Sequence, residues 1–385
     1  MGPKLQPIEV LRGLAILLVV LFHTFPTFFP GGFIGVDVFL VVSGFVIFRS
    51  VVGRAASGES FDFVRFFRRR LLRLAPALVF SMVLFLPLLA FTQSPFGAFD
   101  DSLSTALSSL GGFSNGVIQY LNGGYFGSGA EWNAFLHTWS LSVEIQFYLV
   151  FGIFGAIVLR VILTKKYTSA LWVFSVIVGI VSLLVFVLSL IASLPYEELG
   201  LYGYYSPLVR AWEFVLGGIA ALLGGKLTLP SRIRTIVIIG LGVSLLVLAV
   251  VEPIGSRELI ASSFAATATA VLIVAVSGLE KIQFLGLLAS IGKYSYAWYV
   301  FHWPSLVIGK TLGLDGYLFL VNFASLLLSI WFVRFVEPRM LESPAWSAKY
   351  AVTVGMSIAL PAASSIMAIN AFFNQGLSDL KDQIQ

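Results

Sequence analysis

The sequence contains no cysteine, only three histidines and few charged residues, which make up 11% of its 385 positions. Without cysteine, disulfides, thiolate metal sites and a cysteine nucleophile are excluded. No histidines or carboxylates have the spacing of a metal site, so we expect no bound metal. Long linkers, low-complexity segments and repeats of fixed period are also lacking, which favours a single integral domain.

What the sequence has in excess is apolar residues, which form 58% of the chain and give a mean hydropathy of +0.95. Its apolar runs are long enough to cross a hydrocarbon core about 30 Å thick. Only helices or closed barrels cross a bilayer with every backbone group bonded. We therefore predict an all-α fold, a polytopic bundle of transmembrane helices. The eleven predicted spans are 9–29, 33–51, 71–92, 138–161, 170–194, 206–225, 233–252, 258–278, 290–309, 316–336 and 349–373.

Lysine and arginine are distributed unevenly across the predicted spans, with twenty of the 24 on the side of the N-terminus. Because cytoplasmic loops carry such an excess, we predict a cytoplasmic N-terminus and an extracytoplasmic C-terminus. This topology also explains the net charge of +5, so we expect no nucleic-acid partner. The first span ends in FPTFFPGG rather than in a small-residue cleavage site, which indicates a retained span.

Three ionisable residues stand out in the first two spans. Arg12 and His23 are eleven residues apart, which places them on one helix face and roughly 16 Å apart along its axis. Asp37 opens the second span, across a short turn from His23. Ionisable groups at membrane depth usually face a cavity and have a function. Asp37 is interpreted as orienting His23, with a helix N-cap as a compatible alternative.

A basic cluster precedes the third span and ends in RRRLLRLAP, with Arg69, Arg70 and Arg73. Arginine forks match phosphate oxygens, so the cluster predicts a polyanion site on the cytoplasmic side. The alternative is an ordinary positive flank with snorkelling side chains.

Two further spans carry polar stripes. His137, Ser140, Glu144 and Tyr148 recur at helical spacing in the fourth span, which indicates a polar face toward a cavity or a structural hydrogen-bond network. The loop before it, 92–136, is expected to lack regular structure and to bind sugar, or to form an aromatic belt. Arg210 with Glu213, and Tyr299 with His302, mark the sixth and ninth spans. The topology puts His23, Asp37, His137, Glu144, Arg210, Glu213 and His302 in the outer half, opposite the arginine cluster.

In order and spacing, these motifs resemble acyltransferase family 3, the integral membrane O-acyltransferases of surface glycans. The resemblance covers about Pro7 to Pro338. It rests on Arg12-x10-His23, Gly35-Val-Asp37-Val-Phe39 with Ser43-Gly44-Phe45, Arg69-Arg70-x-x-Arg73-x-x-Pro76, Thr138-Trp139-Ser140-Leu-Ser142-Val-Glu144-x-Gln146-Phe-Tyr148 and Tyr299-x-x-His302-Trp303-Pro304. Ile145 departs from the family, where a second acidic residue is common, which argues against a double-carboxylate role.

The resemblance implies transfer of an acyl group, usually acetyl, from cytoplasmic acyl-coenzyme A to a hydroxyl of an extracytoplasmic glycan such as lipopolysaccharide, peptidoglycan or exopolysaccharide. The expected catalytic residues are His23, Asp37 and Glu144. The expected acyl-coenzyme A ligands are Arg12, Arg69, Arg70 and Arg73. Supporting or substrate-binding roles are expected for Ser43, His137, Trp139, Ser140, Tyr148, Arg210, Glu213, Tyr299 and His302.

Two domains are expected on the same basis. Residues 1–345 would form the ten-helix acyltransferase domain, and 346–385 an eleventh span with a short extracytoplasmic tail. Some members of the family carry an SGNH-type esterase domain after such a span, and we expect that domain to be absent from this chain. A bacterial cytoplasmic (inner) membrane is the expected location, with membrane lipid, acyl-coenzyme A and glycan as partners.

Another class of function remains open from the residues alone. His23, Asp37 and Glu144 could form the proton relay of a secondary transporter. A glycan-binding scaffold is a third hypothesis, but it leaves the arginine cluster without a role. Direct transfer with His23 as general base and transient acylation of His23 are both compatible with the sequence.

Overall fold

A computed structural model describes residues 6–56, 62–93, 98–122, 130–165, 204–224, 229–251, 257–279 and 285–342, with a few isolated positions between them. No strand occurs within these ranges. The described helices are α1 (Gln6–Thr24), α2 (Gly35–Ala56), α3 (Phe63–Thr92), α4 (Ala98–Leu110), α5 (Ser114–Asn122), α6 (Trp139–Lys165), α7 (Pro207–Leu223), α8 (Ser231–Val250), α9 (Arg257–Val276), α10 (Gly286–Thr311), α11 (Leu318–Trp331) and α12 (Glu337–Glu342).

The all-α fold predicted from the sequence is confirmed. Within the described residues, six helical segments are long and apolar enough to cross a membrane. They are Gln6–Thr24, Gly32–Val51, Phe63–Thr92, Leu136–Ile157, Ser231–Val250 and Asp315–Glu342. The predicted spans at 206–225, 258–278 and 290–309 are helical as α7, α9 and α10, and their crossing of a membrane stays a prediction. The predicted spans 170–194 and 349–373, and with the latter the domain 346–385, lie outside the described ranges.

Helix α3 begins earlier than predicted, at Phe63 instead of 71. Its start is fixed by Asp62, whose carboxylate accepts a hydrogen bond from the Arg65 backbone N–H at 2.9 Å. This is the usual N-cap arrangement, which satisfies one of the free amides of the first turn. The basic cluster therefore belongs to the first turns of a 30-residue helix and not to a loop.

Helices α1 and α10 form one of the most extensive contacts in the described bundle, and glycines permit their close approach. A Cβ atom on Gly292 would lie 1.8 Å from the carbonyl oxygen of Glu9, and one on Gly13 would lie 2.1 Å from that of Leu288. Helices α2 and α7 approach each other in the same way at Gly44. Small residues at such crossings let two backbones touch. These two helix pairs carry half of the residues predicted for the site.

Replacement of Gly292 by alanine is expected to destabilise the fold, because the new methyl group has no room against the backbone of α1. Overpacking of this kind typically costs about 1–3 kcal/mol. Gly240 of α8 is the matched control, since nothing lies within 4 Å of a Cβ atom placed there. Thermal unfolding in detergent should show a lower midpoint for Gly292→Ala and an unchanged or higher one for Gly240→Ala. Equal midpoints would contradict the close contact.

The predicted irregular segment 92–136 is largely helical where it is described, which corrects the expectation of a structureless loop. Helices α4 and α5 occupy most of it. Buried polar groups hold it in place, because Asn133 donates to the Thr105 hydroxyl at 2.8 Å and the Trp303 indole donates to the Asn133 carbonyl at 2.8 Å. The segment is thereby attached to α10 one residue away from His302.

Candidate active site

A cavity lies between α1, α2, α3, α6 and α10, with about 810 Å³ of empty space counted out to its mouth. One part of its wall is apolar and includes Val36, Phe39 and Leu40 of α2. The rest is polar and brings together residues from all five helices. The polar lining residues are Arg12, Ser43, Arg70, Arg73, Ser140, Glu144, Tyr148, Tyr296 and Tyr299.

Three guanidinium groups converge on this cavity. Arg70 and Arg73 are one turn apart on α3, so they share a face, and Arg12 reaches the same space from α1. Arg12 and Arg73 are close enough to repel each other, and the partner of Arg12 is Glu9 at 3.9 Å. A group of cations that face one another in a partly enclosed space favours a multiply charged anion there.

Arg69 does not line the cavity with Arg70 and Arg73, although the sequence predicts that all three bind the same ligand. It is exposed, and its Nε donates to the Arg65 carbonyl at 3.2 Å. On a helix Arg69 and Arg70 point in directions about 100° apart with Arg73 between them, so the exposure of Arg69, and not the helical period alone, separates it from the cavity.

Glu144 supplies the carboxylate among the residues that line the cavity. It accepts hydrogen bonds from the Ser43 hydroxyl at 2.5 Å and from the Tyr148 hydroxyl one turn further along α6. The Arg70 guanidinium lies over the Tyr148 ring, 5.6 Å from its centroid. The predicted grouping of Glu144 with the histidines is therefore wrong, because the structure places it among the arginines.

The three histidines form a separate cluster. The His23 Nδ1 and His302 Nε2 atoms lie 3.0 Å apart, and the His302 Nδ1 lies 2.6 Å from the Tyr299 carbonyl oxygen. The His137 ring stands edge-on to the His302 ring, with 5.5 Å between centroids. His302 and His137 are buried, whereas His23 is half-buried. In the described part of the chain, no group of His, Asp and Glu side chains is arranged to hold a metal ion.

Tyr299 connects the cavity to the histidine cluster. Its side chain lines the cavity, and its hydroxyl lies 2.7 Å from the Ser140 hydroxyl. The same hydroxyl donates to the His137 carbonyl at 2.9 Å, and its backbone carbonyl binds His302. A group that leaves the cavity toward His23 would therefore pass this tyrosine.

Asp37 pairs with Arg210 and not with His23, which corrects the predicted Asp37–His23 contact. The Arg210 Nη1 atom lies 2.8 Å from Asp37 and 2.9 Å from Glu213, and all three side chains are buried. The guanidinium also stacks at 4.4 Å from the Tyr204 ring and 5.6 Å from the Trp139 ring. Arg210 thus forms an ion cluster with Asp37 and Glu213 that joins α2 and α7, and Trp139 of α6 packs against it.

Two residues of the site were missed from the sequence. Glu9 pairs with Arg12 at a spacing of three residues, a signal that the helical period contains. Trp303 contacts the His23 ring, with 4.5 Å between centroids, and the Lys310 ammonium lies 5.8 Å from the Trp303 ring. No pattern in the sequence connects His23 with Trp303, since 280 positions separate them.

The chain belongs to acyltransferase family 3. The sequence model of this family, which is described as an acyltransferase domain, matches residues 6–336. This match confirms the resemblance of the motifs. The protein is therefore a membrane-embedded acyltransferase. Similar proteins named as O-acetyltransferases indicate that it belongs to that class of enzyme.

Three relatives illustrate this similarity. A Komagataeibacter xylinus protein provisionally named membrane-bound transacylase BcsY is 30% identical over 80% of this chain and 74% of its own length. A Bacillus subtilis protein provisionally named peptidoglycan O-acetyltransferase YrhL is 29% identical over 78% of this chain and 48% of its own. O-acetyltransferase OatA of Staphylococcus aureus is 25% identical over 89% of this chain and 57% of its own. The chain thus spans about half the length of these two O-acetyltransferases. No solved structure matches it.

Proposed function

We propose that the protein transfers an acetyl group from acyl-coenzyme A, bound on the cytoplasmic side, to a hydroxyl of an extracytoplasmic glycan. The observation that carries this proposal is the cavity in which Arg12, Arg70 and Arg73 converge and whose lining includes Tyr299, the residue bonded to His302. The cavity offers a donor site and the histidine cluster offers a base. Membership of an acyltransferase family supports this combination over a proton-coupled transporter.

The lining of the cavity matches the donor in charge and in polarity. Coenzyme A carries several phosphates, which arginine forks bind in a bidentate manner. Its thioester arm is long and largely uncharged, and the apolar wall formed by Val36, Phe39 and Leu40 suits such a chain. The excess of lysine and arginine on the N-terminal side supports a cytoplasmic entrance, because the predicted topology puts the N-terminal part of α3, with Arg70 and Arg73, on that side.

The reaction requires a base for the acceptor hydroxyl, and we assign this role to His23. Imidazole titrates near neutral pH and can accept the hydroxyl proton as the oxygen attacks the thioester carbonyl. The new C–O bond forms, the C–S bond breaks, and the coenzyme A thiolate leaves and takes up a proton. Glu144 would hold Tyr148 and Ser43 at the donor site, and Asp37 would support the site through Arg210.

The acceptor is proposed to be a surface glycan, and the protein is proposed to lie in a bacterial cytoplasmic membrane. Relatives named as peptidoglycan and other O-acetyltransferases support this class of acceptor.

Reconstitution in proteoliposomes tests the proposal. Acetyl-coenzyme A labelled in its acetyl group is supplied on one face and glycan on the other, and label should accumulate in the glycan. A failure of every glycan pool to acquire label would contradict the proposed function.

The affinity for the donor should depend on Arg70 and Arg73, which line the cavity, and not on the neighbouring Arg69. Each charge-assisted hydrogen bond contributes about 1.5–3 kcal/mol, so Arg70→Ala and Arg73→Ala should each raise the Kd for acetyl-coenzyme A by about 10–100-fold. Arg69→Ala is the matched control, since Arg69 is exposed and lies outside the cavity. Its Kd should stay close to that of the wild type. Isothermal titration calorimetry measures all three, and an equal effect of Arg69→Ala would favour a nonspecific basic flank.

A further inference from the structure

The contacts of His302 fix where its ring proton lies. Its Nδ1 is 2.6 Å from the Tyr299 carbonyl oxygen, and a carbonyl can only accept a hydrogen bond. His302 therefore carries a proton on Nδ1. A neutral imidazole has one ring proton, so the Nε2 atom of a neutral His302 is an acceptor.

His302 is expected to be neutral because its acceptors are backbone carbonyls and no carboxylate in the described ranges is beside it to balance a positive charge. It is fully buried, and the ionisable groups near the cluster are His23, His137 and Lys310. In the described ranges, no carboxylate lies within ion-pair distance of a histidine ring. An isolated buried cation is strongly disfavoured.

The same reasoning assigns the proton of His23. His302 Nε2 is an acceptor, so the atom 3.0 Å away, His23 Nδ1, must be the donor. The Nε2 atom of His23 then keeps its lone pair. It is the nitrogen opposite the hydrogen bond, and it is the atom that can accept a proton.

We propose that His302 is a positioning residue that holds His23 in the tautomer with the proton on Nδ1 and the basic lone pair on Nε2. This inference rests on the proposed function, in which His23 Nε2 takes the proton of the acceptor hydroxyl. When Nε2 is protonated, His302 still accepts from Nδ1, so the ring keeps its orientation through the reaction. Gly13 and Gly292 bring α1 and α10, the helices that carry these two rings, into close contact.

Nitrogen NMR of histidine tests the tautomer without any activity measurement. The chain has three histidines, so protein labelled with 15N-histidine gives a simple spectrum. Single replacements of His23, His137 and His302 assign the signals. At neutral pH, His23 and His302 should each show a protonated Nδ1 and an unprotonated Nε2. A proton on Nε2 of His23, or a doubly protonated His302, would overturn the proposal.

Variants of His302 show whether it positions His23 through a hydrogen bond or only fills space in the bundle. In His302→Gln the amide oxygen can take the place of Nε2 and accept from His23, so transfer should stay within about tenfold of the wild type. In His302→Phe the ring shape is kept but no acceptor remains, and the transfer rate should fall by at least about a hundredfold. The donor Kd should be unchanged in both.

A purely structural role predicts the opposite order, with phenylalanine tolerated at least as well as glutamine. That order in variants with equal unfolding midpoints would overturn the proposal. If wild-type protein transfers no acetyl group to any glycan, the proposed function fails by itself. The tautomer seen by NMR then still decides whether His302 holds the His23 ring as inferred.

Discussion

Replacing His23 by alanine is expected to lower the acetyl-transfer rate by about 10²–10⁴-fold, the usual contribution of a positioned general base. The donor Kd should remain that of the wild type, because His23 lies in the histidine cluster and not among the residues that line the cavity. Transfer of labelled acetyl groups in proteoliposomes gives the rate, and calorimetry gives the affinity.

His23→Asn is the sharper companion variant. Its amide nitrogen can still donate to His302 in place of Nδ1, but the side chain has no basic atom in place of Nε2. It should therefore fold like the wild type and be as inactive as His23→Ala. Normal turnover in either variant would exclude His23 as the base. Mass spectrometry of wild-type protein with donor alone tests the alternative of an acetylated His23.

Arg210→Leu is expected to destabilise the protein by about 3–5 kcal/mol, the cost of leaving a buried ion pair without one partner. Asp37 and Glu213 would both remain buried with no counter-charge, since each bonds the same Nη1 atom of Arg210. The measurement is thermal or denaturant unfolding in detergent, with the amount of folded protein as a second readout.

The triple variant Arg210→Leu, Asp37→Asn, Glu213→Gln is the control for this interpretation. It removes all three charges together, and replacement of a whole buried ion cluster is often neutral for stability. Stability should therefore recover substantially. If Arg210→Leu unfolds like the wild type but loses transfer, Arg210 contacts a substrate and the ion cluster has no structural role.

Sequence patterns predicted the helices well because long apolar runs separated by polar turns leave few alternatives in a membrane protein. They also identified which residues are polar within those runs. The faces that meet were not predictable, because α2 and α10 are apolar around most of their circumference. Hydrophobic periodicity then does not show which side of the helix faces the interior of the bundle. For this reason the pairing of Asp37 with Arg210, 173 positions away, could not be predicted.

Two errors have simpler causes. The sequence groups Arg69 with Arg70 and Arg73, and the helical period cannot separate it from Arg73, which lies one turn further on. Only the packing of the bundle leaves Arg69 exposed outside the cavity. Helix α4 was not predicted because hydroxyl residues share its buried face with Ala106 and Leu110. Ser108 and Ser109 are buried, and their hydroxyls donate to carbonyls of the preceding turn, so serines that are typical of loops belong here to a helix.

An enzyme that receives one substrate from each face of a membrane has to avoid becoming an ion leak. The contact of Tyr299 with Ser140 bears directly on this problem, because it lies where the arginine-lined cavity meets the histidines. A continuous aqueous path there would let protons flow down the electrochemical gradient at each catalytic cycle. With its hydroxyl bonded to both Ser140 and the His137 carbonyl and only 4% of the residue exposed, Tyr299 would narrow such a path in the proposed enzyme.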